Sequence, residues 1–211
     1  MNTAVFRAWI VSAAEVIEAN RDHLTQLDAA IGDADHGINL ARGFAAVTVA
    51  IDGAATPGAV LTVTGSTLIS KVGGASGPLY GVAFRRAGKA LGTAPEADLP
   101  ALGQALEAAL AGVQQLGAAR EGDKTMVDAL APATRALGKA LADGTPVTGA
   151  LSALADAAAA GAAATIPMQA RKGRASYLGP RSVGHEDPGA ASTALIMAAL
   201  RDAAAAATGA P

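Results

Sequence analysis

The sequence predicts an all-α protein: an up-and-down antiparallel barrel or bundle of about eight helices, with a polar site in the loops at one end. Three observations predict it. The 211 residues are 51% hydrophobic but only 3% aromatic, and much of the apolar content is alanine, the strongest helix former. Apolar residues recur at helical spacing. Most links between the periodic stretches are short and contain Gly or Pro, which favours antiparallel neighbours.

The elements follow in order. Phe6, Ile10, Ala13 and Ile17 give a first helix, ended near Asn20. Leu40, Phe44, Val47 and Ile51 give a second, ended by Gly53. Pro57 opens a third through Leu61, Leu68 and Val72, closed by Gly73-Gly74. A fourth runs from about Pro78 to Leu91. Leu99, Leu102, Leu106, Leu110 and Val113 make a fifth. Met126, Leu130, Leu137 and Leu141 make a sixth, and Val147, Leu151, Leu154 and Ala158 a seventh. Pro188 opens an eighth through Leu195 and Leu200. Between Ile166 and Pro188 lies "PMQARKGRASYLGPRSVGHEDP", which has no clear period; links this long inside a compact domain are uncommon and are usually functional or disordered, and Tyr177, Leu178 and Val183 argue for order. No linker divides the chain, so residues 1–211 read as a single domain.

Composition excludes several classes. The net charge is −2 and no basic stripe occurs, which argues against a nucleic-acid partner. Without cysteine there is no disulfide framework or thiolate chemistry. Arg7, Glu15 and Glu18 interrupt the N-terminal apolar stretch, so no signal peptide is read there. "ALSALADAAAAGAAATIPM" carries Asp156 and is mostly alanine, which suits a buried helix better than a membrane span. A cytoplasmic location is expected.

The polar, glycine-containing segments "DAAIGDADHGIN", "GGASGPLYG", "REGDKTM" and "KGRASYLGPRSVGHEDPG" precede helices two, four, six and eight. In an up-and-down arrangement alternate links fall at the same end. Parity alone gathers these four on one rim.

The first segment brings Asp28, Asp33 and Asp35 together. Either they solvate a turn or they hold a cation. Two carboxylates about 4 Å apart repel by roughly 4 kcal/mol at an effective dielectric of 20, a cost that a bound cation removes. Counted from Asp33, the twelfth residue is Phe44, so an EF-hand fails; few carboxylates plus an external ligand suit Mg²⁺. Ser76 reads as a cap for a helix starting at Gly77-Pro78. Asp187 reads as a cap with Pro188 in the first turn. Both helix starts suit phosphate, and they also suit ordinary helix starts. "GAAREGDKT" misses the P-loop pattern by Asp123 before Lys124. Arg174 is placed to offset phosphoryl charge, with Lys172 and Arg181 weaker candidates. His36 adjoins the acids and suits contact with a phosphate or base, as does His185; His23 suits solvent at a helix end. No covalent nucleophile stands out.

The four blocks "LDAAIGDADHGINLARGF", "GGASGPLYG", "GDKTMVDAL" and "KGRASYLGPRSVGHEDPGAAST" together resemble the nucleotide-binding L subunit of dihydroxyacetone kinase, in the family's order and over essentially the whole chain. Related domains with other acceptors tend to read "DGDTG" where this chain has "DADHG". The resemblance implies an eight-helix antiparallel barrel with ADP or ATP bound at one end. It implies two Mg²⁺ ions on Asp28, Asp33 and Asp35, and nucleotide contacts from His36, Gly37, Ile38, Asn39, Ala75, Ser76, Gly117 and Met126. Arg174, Asp187, Pro188 and Gly189 complete that site; "QQLGAARE" around Gly117 matches only loosely. It further implies a separate K subunit that carries the ketone and, in the phosphotransferase-linked branch, an M-type phosphohistidine subunit that rephosphorylates ADP in place. In the other branch, K and L domains share a longer chain that uses ATP.

Three other readings compete: a kinase subunit for another short ketose, a nucleotide-binding regulatory module, and a helical scaffold whose acids cap turns. Donor, acceptor, a homodimer and a lipid in the barrel interior stay open at this point.

Overall fold

The computed structural model describes residues 1–209. Among the described residues nine α-helices form: α1 (Thr3–Ala19), α2 (Arg21–Ile31), α3 (His36–Ala50), α4 (Pro57–Lys71), α5 (Ser76–Leu91), α6 (Leu99–Gly117), α7 (Val127–Ala142), α8 (Val147–Ala164) and α9 (Pro188–Thr208). A 3-10 segment, Arg174–Ser182, lies in the link before α9.

Eight of the helices close a ring in which α1, α3, α4, α5, α6, α7, α8 and α9 each pack on the next, and α9 returns to α1. Alanine and leucine fill the interior, with Phe6, Trp9, Phe44 and Phe84 as its few large rings; Trp9 lies 5.9 Å from both Phe6 and Phe84. Trp9 Nε1 donates to the Ile196 carbonyl at 2.9 Å, joining α1 to α9. Glycine lets α4 and α5 approach closely, since a Cβ on Gly65 would lie 2.4 Å from the Gly81 carbonyl oxygen. α8 and α9 are apolar enough by composition to cross a membrane. In the structure both are members of the ring, and α8 buries one stripe, Ala150, Leu151, Leu154, Ala155, Ala158 and Ala162.

The ninth helix, α2, was not expected. Asn20 only interrupts the rod: its N–H reaches Val16 O at 3.1 Å, and Leu24 N–H returns to Asn20 O at 2.9 Å. The bend does not reverse the chain, so the parity of the links is kept. α2 lies against α3 and α9.

The two ends of the ring differ. At one end the N-terminal amine donates to Ala97 O at 2.6 Å, Thr3 Oγ1 to Ala55 O at 3.2 Å, and Arg7 to Asp52 O and Ala54 O at 2.5 and 2.8 Å. These bonds knit the α3–α4 and α5–α6 links into a closed base. The links 32–35, 72–75, 118–126 and 165–187 form the opposite mouth.

Candidate functional site

One cavity of about 290 Å³ opens at the mouth, and all four polar links contribute to its wall. The early acids and Arg174 therefore share a site: Arg174 Nη2 lies 3.1 Å from Asp33 Oδ2.

The acidic corner is built by the α2–α3 joint. Asp28 is the buried member, on the last turn of α2. Its Oδ2 accepts the Asp35 N–H at 2.8 Å and the His36 N–H at 3.1 Å, so it caps the first turn of α3 from a neighbouring helix. Gly32 makes room for it, since a Cβ there would lie 2.0 Å from Asp28 Oδ1. Ala34 turns the chain at φ 61. One carboxylate oxygen from each of Asp28, Asp33 and Asp35 falls within 4.8 Å of the others. An all-oxygen, all-anionic donor set with both solvent and cavity beside it fits a hard divalent cation such as Mg²⁺.

Two helix starts face the acids across the cavity. Asp187 caps α9, accepting the Ala190 N–H at 2.7 Å, with Pro188 in the first turn as its sequence suggests. Burial pushes the Asp187 carboxyl up to about 7, against the Ala190 N–H and the nearby Lys124 ammonium. The α5 start differs from expectation. Ser76 is the first helical residue and does not cap; Ala75 holds the cap position without a side-chain bond. The Ser76 hydroxyl instead meets His36 Nδ1 at 3.0 Å, while His36 Nε2 meets Ser192 Oγ at 2.9 Å. Tyr80 extends this chain, its hydroxyl 2.7 Å from Ser192 Oγ, 2.9 Å from Thr193 Oγ1 and 2.9 Å from the Gly189 carbonyl that accepts from it. The starts of α3, α5 and α9 are thus tied together behind the cavity by hydroxyls and one imidazole.

Of the residues expected at the nucleotide, the cavity wall includes His36, Ala75, Ser76, Gly117, Met126, Arg174, Asp187, Pro188 and Gly189. Gly37, Ile38 and Asn39 lie outside it. Gly37 faces α2, where a Cβ would sit 2.0 Å from Arg21 O. Ile38 is half exposed on the outer surface beside Arg21 and Thr25. Asn39 is buried and accepts from Arg42 Nη2 at 2.7 Å.

The sequence reading missed Tyr80, Ser192, Thr193, Asp128 and Lys124. Asp128 is buried and accepts the Thr125 N–H at 2.8 Å and the Gly122 N–H at 2.5 Å, which folds the 118–126 link over the start of α7. The signal available is the polar GDKT run itself, the near-miss P-loop spelling.

Burial lowers the His36 pKa to about 4, so the ring is neutral, with one nitrogen donating and the other accepting. Between pH 4 and 6.5 the unfolded chain binds a proton that the folded chain refuses. Stability from this group is therefore complete above pH 6.5 and is lost as pH falls towards 4, by up to about 3 kcal/mol. Asp187 contributes with the opposite sign between about 4 and 7, equally in a His36 variant. Urea unfolding at pH 7 and pH 4.5 should show wild type losing about 2 kcal/mol more than His36→Gln. Equal losses would show that His36 titrates normally.

Comparison with known proteins fits this geometry. The DAK2 domain pattern matches residues 30–202. The chain is 43% identical over 194 residues to the ADP-binding subunit DhaL of the PEP-dependent dihydroxyacetone kinase of Escherichia coli, covering 91% of this chain and 92% of that one. It is 39% identical over 190 residues to the L-erythrulose 1-kinase of Mycolicibacterium smegmatis, covering 88% of this chain but 33% of that one. Among solved structures, the dihydroxyacetone kinase of C. freundii, also solved in complex with AMP-PNP and Mg²⁺, superimposes with a TM-score of 0.72 at 28% identity, over 96% of this chain and 35% of that chain. With its helical ring, its acidic corner and a match over most of its length, the chain belongs to the DAK2 domain family.

Proposed function

We propose that this chain is the ADP-binding subunit of a dihydroxyacetone kinase. It passes a phosphoryl group to dihydroxyacetone held on a separate K-type subunit and is recharged in place by an M-type phosphohistidine subunit of a phosphotransferase system. The observation that carries the reading is the convergence of Asp28, Asp33, Asp35, Arg174 and the α5 and α9 starts on one cavity. The 43% identity to the E. coli ADP-binding subunit, against 39% to the L-erythrulose 1-kinase, supports the multisubunit form. In this reading residues 1–211 act as one cytoplasmic domain.

Asp28, Asp33 and Asp35 would hold two Mg²⁺ ions. Bound Mg²⁺ would supply charge neutralisation at the β- and γ-phosphate oxygens. The chain's own residues do the rest by position. The N–H groups of Ala75 and Ser76 and the positive ends of α5 and α9 favour phosphate. Arg174 adds a guanidinium whose present partner, Asp33, is itself a proposed metal ligand, so the two exchange partners when ligand binds. Gly117 and Met126 offer an apolar wall for the base. Ser76, Ser192, Thr193 and Tyr80 hold the helix starts through their bonds to one another and to His36, and in this reading transfer goes directly to the acceptor.

The mouth also suits a protein partner. Of the nine exposed large apolar side chains among the described residues, six (Ile38, Ile69, Leu116, Ile166, Tyr177 and Val183) lie in the mouth links or within three residues of them. A phosphoryl donor site that must meet a ketone on another subunit needs such a rim. A kinase subunit for another short ketose is the second reading, favoured by the similarity to the L-erythrulose 1-kinase.

Native mass spectrometry of the purified chain should show one ADP with Mg²⁺, retained through buffer exchange. Assays with a K-type partner, supplied first with ATP and then with a phosphorylated M-type subunit, should show turnover only with the latter. Turnover with ATP alone would favour the second reading. A chain that binds no nucleotide would defeat both.

A further inference from the structure

The link from Thr165 to Asp187 carries Arg174 and ends in the α9 corner, yet it has few apolar anchors. Beneath it lies Lys124, 1% exposed, with its backbone at φ 62, a left-handed conformation that lysine holds only when its surroundings enforce it. Its Nζ donates to Thr165 O at 2.8 Å and Met168 O at 3.1 Å and makes a short bond to His185 O; Ile166 O stands at 3.5 Å. Among the described residues no carboxylate forms an ion pair with it, and Asp187 acts on it only at longer range. These carbonyls come from both ends of the link, so one ammonium closes the whole loop. Other bonds support it: Gly184 N–H to Ile166 O at 2.8 Å, Arg171 N–H to Asp123 O at 3.0 Å, Asp187 N–H to Thr165 Oγ1 at 2.9 Å, Ala170 N–H to Ser182 Oγ at 2.9 Å within the link, and the exposed Arg174–Asp33 pair.

Lys124 also borders the cavity, which invites a direct phosphate contact. Its protons argue otherwise. An ammonium has three, and Thr165, Met168 and His185 take all three.

We infer that the Lys124 ammonium is a tethered monovalent cation at the centre of a backbone-carbonyl cage, and that this cage is the positioning element that holds the Arg174 link and the Asp187–Gly189 corner against the nucleotide phosphates. The last clause rests on the function proposed above; the cage itself does not. Converging carbonyl oxygens replace the water shell of a potassium-sized cation. Removing the side chain leaves four carbonyl dipoles pointing at a buried void, a group that is expensive to leave unpaired. Arginine is no substitute, because its planar fork cannot meet oxygens that converge on a point. A free cation of the right size can.

The test uses the full chain with Lys124→Ala and Lys124→Met, in choline, lithium, potassium or ammonium chloride at equal ionic strength. Two readouts are taken: trypsin cleavage at Arg171, Lys172, Arg174 and Arg181, and affinity for ADP with Mg²⁺. In choline or lithium, Lys124→Ala should be cut in this link at least tenfold faster than wild type and bind ADP at least tenfold more weakly. Potassium or ammonium should recover fivefold or more of both. Lys124→Met, whose side chain fills the space, should be cut as fast but gain nothing from any salt, and wild type should be indifferent. The cage is overturned if potassium and ammonium do nothing for Lys124→Ala, a variant that stays unfolded in every salt included. It is also overturned if Lys124→Met keeps wild-type trypsin resistance. If the cleavage pattern responds as described but wild type binds no ADP, the cage stands and the kinase reading fails.

Discussion

Asp33→Asn should reduce phosphoryl transfer to dihydroxyacetone by about 10³-fold or more while leaving the ligand-free protein as stable as wild type. The two effects separate because the carboxylate does opposite things in the two states. Without a cation, three carboxylates face one another with oxygens inside 4.8 Å; Asp28 is held by two backbone N–H groups, and Asp33 is offset by the exposed Arg174 pair at 3.1 Å. An exposed pair is worth about 0–1 kcal/mol, so neutralising Asp33 costs little and relieves repulsion. With cations bound, the same charge is worth roughly 4 kcal/mol at an effective dielectric of 20, about three decades in rate. Thermal unfolding with and without ADP and Mg²⁺ checks the split. Ligand should raise the wild-type Tm and leave the Asp33→Asn Tm nearly unmoved, since stabilisation by ligand follows its affinity. A variant that turned over normally with its K-type partner would remove Asp33 from the metal site.

Gly37→Ala should damage the same site from outside it. The added Cβ would lie 2.0 Å from Arg21 O and 2.6 Å from Thr25 Oγ1, so α2 has to move away from α3. Overpacking of this kind costs about 1–3 kcal/mol, or roughly 3–10 °C in Tm for a chain of this size. Asp28 rides on the last turn of α2 and spans to the first N–H groups of α3, so the same movement pulls it from Asp33 and Asp35. A displacement near 1 Å costs about 10²-fold in rate. Activity should therefore fall further than the Tm loss explains at 25 °C, where most of the protein is still folded. Full activity with a lowered Tm would show that α2 can shift without moving Asp28.

The family resemblance implies Gly37 as a nucleotide contact, and the structure adds a packing role against α2. The difference lies in what each kind of reasoning detects. Eight helices were legible because their apolar stripes are regular, and the shared mouth followed from counting links. α2 was not, because its buried face is Leu24, Asp28 and Ile31: the middle member is an acid, which erases the apolar period. The hydroxyl chain behind the cavity was equally hidden. Ser76 follows a cap pattern, but its oxygen goes to His36, forty residues away in sequence. Lys124 shows the same limit more sharply. Nothing local to GDKT indicates that the lysine turns inward, because its acceptors are main-chain carbonyls contributed forty or more residues later.

The knitted base has a consequence for covalent assembly. Thr3 and Thr208 both lie at that pole, so any module spliced to either end of this chain starts its path on the side remote from the cavity. A helix of 16 residues, as α5 and α7 are, is about 24 Å long. A tether running up the outer wall to the rim needs at least about seven or eight extended residues before the module begins. Separate subunits face no such constraint and can approach the open pole head-on.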